Sequence, residues 1–198
     1  MREVLIVPTG TANLASVASA LRRVGLSPRF AEGPDEVDTA ARVLLPGVGA
    51  LGAAMAELTQ QGFVAPLSRY LDGDRPFLSI CLGLQLLAET SEESPGVRGL
   101  GRFPVEVTRL RGDGLRIPHI GWNRVDADAS AKVLQSGDAY FANSYRMERI
   151  PEGCVGATAL HGERFVAAIE RGPLVACQFH PELSGAYGLE LLTRWGAL

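Results

Sequence analysis

Cys81 lies far along the chain from the neighbouring residues His180 and Glu182, and the three side chains could together cleave an amide. A nucleophilic thiol needs a base that takes up its proton and later delivers a proton to the leaving amine. That base needs a third group that fixes its tautomer and stabilises its cationic form. Because residues i and i+2 of an extended segment project to the same side, His180 and Glu182 could enter one cleft. These residue types therefore suit nucleophilic catalysis by a thiol.

Each of the three residues also has a structural interpretation. Free cysteine is among the most buried residue types, so Cys81 could be a core thiol. An isolated His-x-Glu is more often a strand-end histidine beside a surface carboxylate. The sequence around each residue has to decide between these alternatives.

The stretch around Cys81 predicts a strand that turns abruptly into a helix. Residues 77–80 form a short buried strand entered from a proline. The small residues Ser79 and Gly83 flank the turn, as in the serine elbow of α/β-hydrolases. This arrangement places the sulfur at a helix N-terminus, which favours the thiolate. The positions expected on one side of the helix are Leu82, Leu86, Leu87 and Ala88.

A second glycine-rich turn, Pro46-Gly47-Val48-Gly49, directly follows the predicted strand 43–45. Glycines let the backbone approach a ligand and turn its N–H groups inward, as a developing oxyanion requires. A plain turn is the alternative.

The elements that must position these residues predict an α/β fold with a mostly parallel central sheet flanked by helices. Additional antiparallel or mixed strands are expected in the second half. We expect one domain spanning residues 1–198. The predicted strands are 4–7, 28–31, 43–45, 77–80, 103–110, 124–127, 139–143, 155–160, 164–169 and 174–179. The predicted helices are one capped by Asn13 and ending at Gly25, then 34–40, 50–60, 63–71 and 185–195, with a surface loop at 91–101 and a turn at 111–114.

Composition excludes several functional classes. The 198 residues have a net charge of -3 and no basic cluster, so no nucleic-acid partner is expected. No apolar run reaches transmembrane length, and the first residues do not predict a signal peptide. Three cysteines without metal-type spacing predict reduced thiols, no metal and a cytoplasmic location.

Two further segments concentrate polar and aromatic side chains. Ile117-Pro118-His119-Ile120-Gly121-Trp122-Asn123 would suit a partner surface if exposed. Alternatively, Trp122 closes the core and His119 bonds to the backbone. Ala142-Asn143-Ser144-Tyr145-Arg146 could bind a polar substrate or merely face solvent.

Four of these stretches together resemble the class I (triad) glutamine amidotransferases. Three are Pro46-Gly47-Val48-Gly49, Ser79-Ile80-Cys81-Leu82-Gly83-Leu84-Gln85 and Gln178-Phe179-His180-Pro181-Glu182. The fourth, residues 117–123, is similar to the segment typical of the glutaminase subunit of imidazole glycerol phosphate synthase, from histidine biosynthesis. Tyr140-Phe141-Ala142-Asn143-Ser144-Tyr145 is similar to the same subunit. The resemblance covers essentially the whole chain.

The resemblance implies hydrolysis of L-glutamine through a thioester on Cys81, with His180 moving protons and Glu182 orienting it. The ammonia would pass to a partner (β/α)8-barrel synthase subunit in a heterodimer, and no cofactor is implied. By motif, backbone N–H groups of Leu82 and of Val48 or Gly49 would form the oxyanion hole. Glutamine would be held by Gln85, Ser144 and Tyr145, and the partner would be contacted by Asn13, His119, Trp122 and Asn123.

The sequence departs from this family at three places. Ser79 stands where glycine is usual, and Asn143 stands where histidine often precedes Ser-Tyr. The loop 8–13 lacks the common Asp-Tyr and second glycine but keeps Gly10 and Asn13. Two other functions stay open: a glutaminase subunit for a different synthase, and a non-catalytic binding subunit on the same fold.

Overall fold

Short apolar strands alternate with amphipathic helices along the first half of the chain, and strands dominate the second half. The computed structural model describes residues 2–10, 13–112 and 114–198. Its strands are β1 (Arg2–Ile6), β2 (Leu26–Phe30), β3 (Val43–Gly47), β4 (Phe77–Cys81), β5 (Ala88–Ser91), β6 (Phe103–Arg109), β7 (His119–Ala127), β8 (Gly137–Asn143), β9 (Tyr145–Met147), β10 (Val155–His161), β11 (Glu163–Arg171) and β12 (Leu174–Cys177). Its helices are α1 (Leu14–Arg23), α2 (Asp35–Thr39), α3 (Leu51–Gln60), α4 (Val64–Asp72), α5 (Leu82–Leu86) and α6 (Gly185–Ala197), with a 3-10 turn at Pro181–Leu183.

Nine strands form the central sheet in the order β2-β1-β3-β4-β12-β11-β10-β7-β8. The first five are mutually parallel, and from β12 onward each neighbour is antiparallel. A second sheet holds β5, β6 and β9. The predicted fold class, a mostly parallel sheet with antiparallel strands in the second half, is therefore confirmed.

The core lies on both faces of the central sheet, because its parallel strands are apolar on both sides. On one face, α3 and α4 bury residues such as Leu58 and Leu67. On the other, α1 and α6 bury Leu21, Leu191 and Trp195. The Asn13 side chain accepts the Ser16 N–H and caps α1, as predicted.

Several elements differ from the sequence-based expectation. Strand β9 was not predicted, and β12 ends at Cys177, two residues before the predicted end. Helix α5 ends at Leu86, and Ala88 begins β5 by pairing with Phe103 instead of extending the helix. Strand β7 begins at His119, five residues earlier than predicted, because residues 119–125 pair in register with β8. Asp113 of the predicted turn at 111–114, and Thr11 and Ala12 of the loop 8–13, lie outside the described residues, which also omit Met1. None of the described helices is long and apolar enough to cross a membrane.

Candidate active site

The carboxyl ends of three adjacent parallel strands define the site. Strands β3, β4 and β12 lie side by side, with Gly47 opposite Cys81 and Cys177 opposite Ile80. Open α/β sheets bind ligands at this edge. The loop after β3, the end of β4 and the segment after β12 therefore meet at one place, although they are far apart in sequence.

Cys81 occupies a strained turn between β4 and α5. Its backbone has φ 56° and ψ -107°, and it is the one non-glycine residue with positive φ among the described residues. Strain of this kind persists where surrounding packing enforces it, and it is characteristic of nucleophile elbows. The predicted abrupt strand-to-helix turn at Cys81 is confirmed.

Close packing between β3 and α5 enforces that turn. A Cβ added to Gly83 would lie 2.1 Å from the carbonyl oxygen of Leu45, so only glycine fits. A Cβ on Gly47 would lie 3.1 Å from the Leu82 Cβ. Ser79, which departs from the usual glycine, is buried, and its hydroxyl has no hydrogen-bond partner in the described structure. The serine is accommodated, but its hydroxyl is left unsatisfied.

His180 and Glu182 are paired beside Cys81. The His180 Nδ1 lies 2.8 Å from the Glu182 Oε1, and the His180 side chain hydrogen-bonds Cys81. The backbone holds the histidine in place, since its N–H donates to the Tyr140 carbonyl and its own carbonyl accepts from the Ser184 hydroxyl. The three residues singled out by their chemistry are thus brought together.

The electrostatics of this cluster favour a charged imidazole. Burial lowers the pKa of His180, but hydrogen bonds and charge interactions with Cys81 and Glu182 outweigh it and raise the pKa to about 10. The ring of His180 is therefore held in its charged form beside the thiol of Cys81.

The other two cysteines are poorer nucleophiles. Burial, with the charges of Glu182 and Cys81, raises the pKa of Cys177 far above its ordinary value. Burial also raises the pKa of Cys154, although Arg171 and Arg102 oppose the shift. The described structure therefore favours Cys81 as the reactive thiol.

A cavity of about 270 Å³ opens over Cys81. The predicted oxyanion residues Val48, Gly49 and Leu82 line it, as do the predicted substrate residues Gln85, Ser144 and Tyr145. The cavity also contains the carboxylate-bearing Glu93, which sequence reasoning missed because it lies in a loop with no motif. The Glu93 Oε2 accepts the Leu51 N–H at 3.3 Å, which ties this loop to the start of α3.

Buried amides form a network beneath the cavity. The Gln85 Nε2 donates to the Tyr145 carbonyl at 3.1 Å and to the Gln178 Oε1 at 3.0 Å, and the Gln178 Nε2 donates to the Cys81 Sγ at 3.6 Å. Asn143 donates to the same Tyr145 carbonyl at 3.0 Å. Sequence reasoning missed the role of Gln178, although its position two residues before His180 predicts that both side chains point to the same side.

The predicted partner residues do not all lie on the surface. Trp122 is 59% exposed and Asn13 is exposed, while Asn123 is half-buried and donates to the Leu160 carbonyl. His119 is only 6% exposed, so little of its side chain is accessible at the surface. Its side chain points inward from β7 and stacks on Phe141 and His161. Among the residues that the structure describes, no cluster of three His, Cys, Asp or Glu side chains could hold a metal ion.

Comparison with solved structures supports the class of fold. A crystal structure of a glutamine amidotransferase superposes with a TM-score of 0.77, at 18% identity, covering 98% of this chain and 99% of that one. A crystal structure of a putative GMP synthase component from Thermoplasma acidophilum gives a TM-score of 0.75 at 18% identity, covering 100% and 93% of the two chains. The family model of the class-I glutamine amidotransferases matches residues 7–195. The chain therefore belongs to the class-I glutamine amidotransferase family.

Comparison with curated relatives indicates which member of this family the chain resembles. The chain is 41% identical to imidazole glycerol phosphate synthase subunit HisH of Syntrophotalea carbinolica, covering 98% of each protein. It is 42% identical to the HisH subunit of Moorella thermoacetica, covering 100% of this chain and 96% of that protein. It is also 40% identical to the chloroplastic imidazole glycerol phosphate synthase hisHF of Arabidopsis thaliana. That match covers 97% of this chain but only 33% of the longer Arabidopsis protein. Within the family, the chain groups with the HisH subunits.

Proposed function

We propose that this chain is the glutaminase subunit of an imidazole glycerol phosphate synthase of histidine biosynthesis. It hydrolyses L-glutamine at Cys81 and passes the ammonia to a (β/α)8-barrel synthase subunit. The observation that carries the proposal is the Cys81–His180–Glu182 cluster, with its 2.8 Å His180–Glu182 contact, at the mouth of the parallel sheet. Full-length similarity to HisH subunits supports the choice of synthase.

The first half of the reaction forms a thioester. The Cys81 thiolate attacks the side-chain carbonyl carbon of glutamine, a C–S bond forms, and the carbonyl electron pair moves onto oxygen. The backbone N–H groups of Leu82 and of Val48 or Gly49 stabilise this oxyanion. The His180 imidazolium then gives its proton to the amide nitrogen, the C–N bond breaks, and ammonia leaves.

The second half releases glutamate. Neutral His180 takes a proton from water while the water oxygen attacks the thioester carbon. The C–S bond then breaks, which restores the thiolate and the imidazolium. Glu182 orients the ring and stabilises its positive charge. Every proton and electron pair is accounted for without a cofactor.

Substrate recognition uses charged and neutral polar groups around the cavity. Glutamine carries an α-ammonium, an α-carboxylate and a neutral amide. Glu93 offers a carboxylate for the ammonium, while Gln85, Ser144 and Tyr145 offer polar contacts from the walls. A carboxylate and several neutral polar groups in one cavity suit an amino acid better than an anion.

The exposed apolar side chains around the cavity suit a docking surface for the barrel subunit. Ile120 and Trp122 are 64% and 59% exposed, and Ile120 lies opposite Ala142, which lines the cavity. Val48 and Leu183 are also exposed large apolar residues near the triad. Exposed patches of this kind mark protein interfaces. A partner seated here would cover the cavity and receive ammonia directly, and Asn13 and Asn123 are proposed to flank the contact.

We also propose that docking activates the chain. The loop Val48–Gly49 carries the oxyanion donors and a positive φ of 92° at Gly49, so it can reorient when a partner contacts Val48. Free ammonia would be wasted by an unregulated glutaminase. Residues 1–198 are proposed to act as one domain in a cytoplasmic heterodimer.

The test is co-purification with a barrel synthase subunit, followed by glutamine-dependent formation of imidazole glycerol phosphate. We expect a stable complex and glutamate release that is much faster in the complex than in the isolated chain. A complex formed only with a different synthase, such as one for anthranilate or guanylate, would overturn the choice of pathway. Equal rates with and without the partner would refute activation by docking.

A matched pair of variants tests the docking surface. Trp122→Ala removes an exposed side chain and is expected to weaken the complex by about tenfold or more, since aromatic anchors dominate interfaces. Phe30→Ala removes another exposed aromatic side chain, 41% exposed on β2, at the opposite edge of the sheet. Phe30→Ala should leave affinity unchanged, and equal effects of the two variants would contradict the placement.

A further inference from the structure

We propose that Gln178 is a positioning residue that holds the Cys81 sulfur and the Gln85 side chain in one fixed arrangement. This inference deepens the proposed function and rests on it, because it assigns a role in the same site to a residue outside the triad. The contacts that carry it exist before any substrate or partner is bound.

Gln178 lies between β12 and His180 and is fully buried. Its backbone N–H donates to the Ala167 carbonyl at 2.8 Å, which fixes the start of the side chain against β11. Because Gln178 and His180 are two residues apart in an extended segment, both side chains point to the same side. Both side chains accordingly hydrogen-bond Cys81.

The direction of the Gln178 amide is determined by its neighbours. The Gln85 Nε2 is a donor, and one of its two hydrogens is directed to the Tyr145 carbonyl at 3.1 Å. Its other contact, at 3.0 Å, therefore requires the oxygen of Gln178, because a second amide nitrogen could not accept. The Gln178 Nε2 then faces the Cys81 Sγ at 3.6 Å as a donor. Flipping the amide would lose both contacts.

A hydrogen-bond donor beside the Cys81 sulfur favours the thiolate and restricts rotation of the Cys81 side chain. A hydrogen bond to a charged group is stronger than one to a neutral group. The titratable groups around Cys81 are His180, which interacts with the thiol, Glu182 behind His180, Cys177 on β12 and Glu93 across the cavity. Gln178 does not titrate, so the hydrogen bond that it donates to Cys81 can be distinguished by experiment from the effects of these four groups.

The experiment measures alkylation of Cys81 by iodoacetamide as a function of pH in the isolated full chain. A Cys154→Ser background removes the half-buried competing thiol. In this background, Gln178→Met keeps side-chain length but deletes both hydrogen bonds. We expect the alkylation rate at pH 7 to fall by about tenfold and the midpoint of the profile to move to higher pH by about one unit. An unchanged profile in a folded Gln178→Met protein would overturn the proposal.

Two further variants separate positioning from general loss of packing. Phe179→Leu changes the following residue, which is equally buried, and it should lower the melting temperature without moving the alkylation profile. Gln178→Glu keeps the acceptor for Gln85 but places an oxygen against the sulfur, and it should slow alkylation more than Gln178→Met. If Phe179→Leu moves the profile as much, or if Gln178→Glu reacts like the parent, the role is structural only.

Kinetics in the complex complete the test. Gln178→Met is expected to lower kcat for glutamate release by about tenfold while KM for glutamine changes by less than about threefold. A change confined to KM would contradict a role in holding the nucleophile. If the parent complex released no glutamate at all, the proposed function would fail, but the alkylation result would still decide the role of Gln178.

Discussion

The Nδ1 of His180 lies 2.8 Å from the Oε1 of Glu182, and both side chains are almost fully buried. The second carboxylate oxygen, Oε2, has no hydrogen-bond partner in the described structure. In the described structure, the Glu182 carboxylate therefore hydrogen-bonds through Oε1 to the His180 ring, while Oε2 makes no hydrogen bond. A short contact in a dry environment is strong, so the ring is held in one orientation with its other nitrogen toward the thiol.

Glu182→Gln should lower kcat for glutamate release by about a hundredfold or more, because the neutral amide no longer stabilises the imidazolium. The same change should lower the pKa of His180 from about 10, since one of the contributions that raise it is lost. Steady-state kinetics in the complex and NMR titration of the ring measure the two effects. Glu190→Gln alters an exposed carboxylate and should change neither. A raised histidine pKa that survives Glu182→Gln would contradict this assignment.

Ser79→Ala should raise the free energy of unfolding by about 1 kcal/mol, because it removes a buried hydroxyl that has no partner in the described structure. The small Cβ that packs near Gly83 is retained. Ser91→Ala is the matched control, since that buried hydroxyl accepts the Glu93 N–H at 3.2 Å and its loss should lower stability. Urea unfolding measures both. A destabilised Ser79→Ala protein would show that the hydroxyl is satisfied after all.

Gly83→Ala should destabilise the fold by about 2 kcal/mol, because the new methyl group would lie 2.1 Å from the Leu45 carbonyl oxygen. The shift needed to relieve this contact would move Leu82 and Cys81, so alkylation of Cys81 should slow as well. Gly33→Ala introduces a methyl group with nothing within 4 Å and should be nearly neutral. Equal stability of the two variants, measured by thermal unfolding, would contradict the packing described for the elbow.

Protonation of His119 should make the fold sensitive to acid. Burial and the neighbouring His161 lower the pKa of His119 to about 4, against an ordinary value of 6.5. Between these values the unfolded chain binds a proton that the folded chain does not, so stability falls as the pH drops from 6.5 towards 4. His119→Phe keeps a ring stacked on Phe141 and removes this contribution. Unfolding measured at about pH 4.5 and about pH 7 should show a smaller loss in His119→Phe, and an equal loss would be inconsistent with a neutral buried His119.

The nucleophile and the strand that carries it could be predicted from the sequence alone. A short apolar run, a cysteine and small flanking residues specify the elbow at Cys81 locally, and the structure shows the required positive φ there. These features depend on local composition. The position of β12 was not predicted, because the strand 174–179 was assigned to the antiparallel or mixed second half; the structure pairs β12 parallel to β4, and this pairing brings His180 beside Cys81.

Other features depend on contacts that no local pattern encodes. Ala88 suited the apolar side of a helix, but its pairing with Phe103 makes it the first residue of a strand. The segment around His119 predicted an exposed interface, but the register of β7 against β8 places the His119 side chain inward, opposite Asn143. Glu93 reaches the site from a loop that carries no motif. The contact of Gln178 with Cys81 depends on a buried amide network, although its spacing of two residues from His180 indicates the direction of its side chain.

The central claim is that glutamine is split through a covalent bond to Cys81. It is tested most directly by mixing the complex with glutamine, quenching in acid and analysing the peptide containing Cys81 by mass spectrometry. We predict a glutamyl adduct on Cys81 that forms and decays with glutamate release, and loss of both adduct and glutamate in Cys81→Ala. Undiminished glutamate release by Cys81→Ala, or an adduct on Cys154 or Cys177 instead, would contradict it.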